Sequence, residues 1–91
     1  MTAQRPETAV TFNEWLERLA ALLPGDSPNA ATPREQAAIL DLARVAAHTS
    51  ERIAAPISAF LVGVAYASLP PDKRAEQIGE LVRTLEQESL A

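Results

Sequence analysis

The chain has 91 residues, a formal net charge of −4 and no cysteine. That length suits one small domain, and the absence of cysteine excludes disulfides and thiolate metal ligands. The acidic balance speaks against a protein that tracks a nucleic-acid backbone with clustered Lys and Arg.

Apolar residues make up 47% of the chain. Much of that is alanine, the best helix former and a poor strand residue, so close-packed helices are favoured over a sheet. Met1–Val10 has no sustained period and contains Pro6, and reads as a flexible tail. Thr11 followed three residues later by Glu14 is the signature of a capping box. The helix that follows, over about 12–23, places Phe12, Trp15, Leu16, Leu19, Leu22 and Leu23 on one broad face. Pro24-Gly25 ends it, because proline cannot continue the backbone ladder.

Asp26–Ala31 reads as a polar linker. Thr32, Pro33 and Glu35 then form a second capping box with proline at the first helical position. The predicted second helix covers 33–49. Ile39, Leu40, Leu42, Ala43, Ala46 and Ala47 form its buried face, and Asp41, Arg44 and His48 its polar side. Pro56 opens a third element over 56–68 that is apolar nearly all round. Such a helix is normally wrapped by its neighbours, so the third helix is expected at the centre. Gly63, which weakens a helix, is expected where another helix approaches closely. Pro70-Pro71 starts the last helix, over 71–87, with Ala75, Ile78, Leu81, Val82 and Leu85 at helical spacing. Residues 89–91 are expected to fray.

The reading is therefore an all-α single domain over 11–88, a compact four-helix bundle or an irregular orthogonal helical array. The apolar window Ile53–Leu69 is broken by Pro56 and is shorter than the ~20 residues of a membrane span. No basic segment leads into an apolar stretch at the N-terminus. The expectation is a cytoplasmic protein without membrane or nucleic-acid partners.

One polar constellation stands out. On a continuous helix Asp41, Arg44, His48 and Glu51 lie at about 0, 300, 340 and 280 degrees, within one stripe, and Arg52 sits at its edge. Three readings follow. The stripe can be an ion-pair network that fixes how the second helix meets the third, or a surface for a protein partner. It can also be a small anionic-ligand or catalytic site, with Arg44 and Arg52 as forked donors, Asp41 and Glu51 orienting them, and His48 moving a proton. Trp15 is a candidate core anchor or an apolar contributor to a contact surface. A lone histidine does not make a metal site. No nucleophile–base pair, dinucleotide fingerprint or phosphate cradle accompanies it, so no catalytic residue, metal or cofactor is assigned.

Trp15-Leu16 with Leu19, and the run Asp41, Arg44, Ala47-His48, Glu51-Arg52, Ala55-Pro56, Phe60-Leu61 and Gly63, resemble a small actinobacterial helical domain of unknown function. That domain occurs alone or fused to a nucleotidyltransferase of molybdopterin-guanine dinucleotide biosynthesis. The resemblance spans Phe12 to Ala67 and departs at Ile53, where the pattern has a proline. It brings no catalytic residues. It implies an accessory module of molybdenum-cofactor biosynthesis, with the nucleotidyltransferase or a molybdoenzyme as protein partner. The leading expectation is thus a non-catalytic interaction module using Asp41, Arg44, His48, Glu51, Arg52 and Trp15. The alternatives are an anionic-ligand or catalytic domain built on Arg44, His48, Glu51 and Arg52, and a purely structural domain that forms a homodimer.

Overall fold

The computed structural model describes residues 10–25 and 31–90, with side chains to residue 88. The tail expected over 1–10 and the linker expected over 26–31 therefore lie, apart from Val10 and Ala31, outside the described residues. The protein is all-α, with four helices: α1 (Phe12–Leu22), α2 (Pro33–Thr49), α3 (Ala54–Ala65) and α4 (Pro71–Leu90). There is no strand among the described residues. The chain divides into two units, residues 1–30 and 31–91.

In the first unit, Thr11 caps α1 reciprocally. The Glu14 amide donates to Thr11 Oγ1 at 3.1 Å, and the Thr11 amide donates to Glu14 Oε1 at 3.0 Å. Two amides that the first turn leaves without helical partners are thereby satisfied. Leu23 closes the helix, its amide donating to the Ala20 carbonyl. Gly25 follows at φ +69°, a left-handed conformation that glycine adopts without steric cost. No residue of α1 is buried.

In the second unit, α2 packs against both α3 and α4. Its start repeats the capping box, with Thr32 and Glu35 exchanging bonds and Pro33 in the first turn. The core lies between α2 and α4, where Leu42 and Val45 meet Ile78 and Val82. These positions recur at three- and four-residue spacing and so share one face of each helix. Each such burial stabilises the fold by roughly 1.5–3 kcal/mol relative to exposure. Leu40, expected on the same face, is 67% exposed while Leu42 is 2% exposed. Two positions along a helix turn the side chain by about 200 degrees, which carries Leu40 to the opposite side.

Ion pairs set the direction of packing. Arg34 pairs with Asp72 and Glu35 with Arg74 near the helix starts, while Arg44 pairs with Glu86 further along. Hence α2 and α4 run the same way, and α3 returns the chain from the end of one to the start of the other.

Within residues 31–91 the third helix is not the centre that its composition suggests. It has no buried residue, and Val62, with Tyr66 at its C-terminal cap, packs against the core. Its all-round apolar character is real, but its outer side is uncovered. It starts at Ala54 rather than Pro56. Pro56 occupies the third position, where a missing amide costs little because first-turn amides lack helical partners. Nor does another helix crowd Gly63: a Cβ added there meets no atom within 4 Å. At the other end of the chain α4 continues to Leu90, past the expected stop. Nothing among Glu86, Gln87 and Glu88 breaks a helix.

Candidate functional site

The sequence places a polar stripe along α2, and the structure keeps part of it together. Arg44 donates through Nε and Nη2 to Asp41 Oδ1, at 3.3 and 3.1 Å. The same Nη2 donates to Glu86 Oε2 of α4 at 2.9 Å. Glu86 and Asp41 together raise the already high guanidinium pKa. All three side chains are substantially exposed, so water screens the pairing and its contribution to stability is small. Arg44 therefore bridges α2 to α4 at the surface.

His48, Glu51 and Arg52 do not join that bridge. α2 ends at Thr49, and Ser50 caps it with its amide bonded to the Ala46 carbonyl. The continuous helix that would align Glu51 with Asp41 is absent. Glu51 and Arg52 instead sit in the turn before α3, where their carbonyls accept from the Ala54 and Ala55 amides. The side chains of His48, Glu51 and Arg52 are exposed and make no ion pair among the described residues. Trp15 belongs to the first unit, on the same stripe of α1 as Phe12, Leu19 and Leu22, and is 51% exposed.

The most buried ion pair among the described residues lies elsewhere. Arg74 Nε donates to Glu35 Oε2 at 2.5 Å, and Arg74 Nη1 donates to the Leu69 and Ala67 carbonyls after α3. Glu35 is the only buried charged residue among the described ones. Burial by itself raises its carboxyl pKa. The Arg74 hydrogen bond, the Thr32 amide, the Arg74 charge and the Thr32 hydroxyl outweigh that and hold it below its ordinary value. One carboxylate thus completes a helix cap with one oxygen and takes a guanidinium with the other. Sequence reasoning finds the cap but misses Arg74. The available signal is that a capping box uses only part of a carboxylate's accepting capacity, so a buried one needs a second donor.

A cavity of about 380 Å³ opens between α2, α3 and α4. Leu42, Val45, Ala46 and Leu85 form its apolar wall, with Ser50, Ser58 and Glu88 at the lining. None of Arg44, His48, Glu51 or Arg52 borders it. Among the described residues no three His, Asp or Glu side chains gather as metal ligands, and no helix is long and apolar enough to cross a membrane.

A family model described as a domain of unknown function, DUF6457, matches residues 7–90. No curated protein and no solved structure matches the chain. The chain belongs to the DUF6457 family.

Proposed function

We propose that this chain is a non-catalytic interaction module that presents the apolar stripe of α1 to a protein partner. The observation that carries the reading is the state of that helix. Phe12, Trp15, Leu19 and Leu22 share one face, all are exposed, and no α1 residue is buried. An amphipathic helix of this kind, capped at its start, is suited to lie in the apolar groove of another protein. Trp15 is the natural anchor, since tryptophan dominates binding energy more often than its abundance suggests.

The charged face of α2 offers a separate polar contact surface in this reading. Asp41 and Arg44 hold each other, whereas His48, Glu51 and Arg52 are left to meet charges on a partner. The resemblance of Asp41–Gly63 to domains fused to a nucleotidyltransferase supports molybdenum-cofactor maturation as the setting. It favours that enzyme or a molybdoenzyme as the partner.

The test is affinity capture from the source organism's extract with three baits: the intact chain, a Trp15→Ala/Leu19→Ala variant, and an Arg44→Ala/Arg52→Ala variant. The same partner should be retained by the intact chain, lost by the first variant and weakened by the second. Equal recovery by all three folded baits overturns the reading. Trp15 is the chain's only tryptophan, so a purified partner should also shift its emission to the blue on titration.

A further inference from the structure

The outer side of α3 is a second apolar face, distinct from α1. Ile53, Ile57, Phe60, Leu61 and Val64 are 59–69% exposed. At 100 degrees per residue they fall within an arc of roughly 100 degrees. Val62 and Tyr66, on the opposite side, hold α3 to the core. Soluble monomers rarely leave so continuous a patch uncovered.

We infer that this face binds the same face of a second copy of the chain, α3 against α3 about a twofold axis. Charge carries the choice of occupant. From Ile53 through Pro71 the sequence holds no Asp, Glu, Lys, Arg or His, in a chain of which 22% is charged. Residues nearest a twofold axis meet their own copies, so a charge there would face its like, and a self-complementary face must be free of charge at its centre. A face shaped for a different protein has no such requirement and gains partner choice from complementary charges.

The size of the face is sufficient for a dimer. Five large side chains at this exposure offer on the order of 500 Å² per copy, or about 1,000 Å² for the pair, which meets the lower bound for a specific interface.

The experiment is sedimentation of the full chain over about 1–200 μM, alone and with two variants of an exposed residue, Phe60→Lys and Phe60→Glu. The intact chain should move from its 9.8 kDa monomer to a dimer as concentration rises. Each variant alone should dimerise at least tenfold more weakly, and an equimolar mixture of the two should recover a heterodimer. That rescue is specific to a face that meets its own copy. Circular dichroism confirms that the variants keep their helix. An intact chain that stays monomeric at the highest concentration overturns the inference, as does a dimer indifferent to both variants. The test reads the oligomeric state of α3 variants, whereas the capture experiment reads recovery by α1 variants, so the two readings fail separately.

Discussion

The Arg74 guanidinium joins three helix ends by donating to the Glu35 carboxylate at the start of α2 and to the Leu69 carbonyl beyond α3. Both partners are largely shielded, with side-chain exposures of 15% and 7%. A buried pair of this kind is most costly when half of it is removed, because the remaining charge has no compensation. Arg74→Ala should destabilise the chain by about 3–5 kcal/mol. Glu35→Gln combined with Arg74→Met should cost less than Arg74→Ala alone. Urea denaturation of the three variants measures the difference, and an Arg74→Ala loss below about 1 kcal/mol, the scale of a surface pair, would remove the pair from the account.

The same carboxylate makes stability depend on pH in a defined direction. Glu35 is held below its ordinary value of 4.5 in the folded chain. The folded state therefore binds its proton less readily than the unfolded state does. Its contribution is complete above 4.5 and is lost as pH falls through the lower folded-state value. Melting temperatures measured between about pH 2 and 7 should drop on the acid side, and Glu35→Gln should flatten that drop.

Leu42 and Leu40 offer a contrast within one turn of α2. Leu42→Ala removes a buried core side chain and should cost about 2–5 kcal/mol. Leu40→Ala touches the exposed side and should stay within about 0.5 kcal/mol. Equal losses at the two positions would mean that the α2–α4 face is wrongly assigned.

Gly79 lies inside α4, where a Cβ would meet only Arg83 Nη1 at 3.9 Å, an ordinary contact. Gly79→Ala should therefore raise stability by about 1 kcal/mol through helix propensity. A lower melting temperature would show that α4 needs a closer approach at that point.

Ala31 adopts φ 58°, the left-handed region that a Cβ disfavours, immediately before the α2 cap. Gln36 Nε2 donates to its carbonyl at 2.7 Å and helps to hold it there. Ala31→Gly relieves roughly 1–2 kcal/mol of backbone strain and loses part of that to the greater freedom of the unfolded chain. A modest rise in melting temperature is expected. A fall would mean that the turn favours alanine for another reason.

Features closed within three or four residues were legible in the sequence. Both capping boxes depend on a Thr and a Glu three apart, and the Asp41–Arg44 contact on the same spacing. Features that depend on which helices meet were not. Glu86 and Arg74 complete networks begun 42 and 39 positions earlier, and no local pattern marks either as the partner. The stripe through Glu51 fails at one residue, because Ser50 leaves the helical conformation at φ −121° and ψ −103°. The placement of α3 fails for another reason. An apolar helix has the same composition whether its own chain wraps it or leaves its outer side open.

The Glu35–Arg74 pair also bears on how the chain is made. During synthesis α2 and α3 emerge before residue 74 exists. Until then Glu35 cannot enter the interior without stranding its charge, and the carbonyls at Ala67 and Leu69 have only water to bond. Ile78 and Val82, half of the buried cluster, arrive later still. The core of this unit is complete only with its last helix, so a nascent chain halted before α4 exposes its apolar surface to whatever binds unfolded segments.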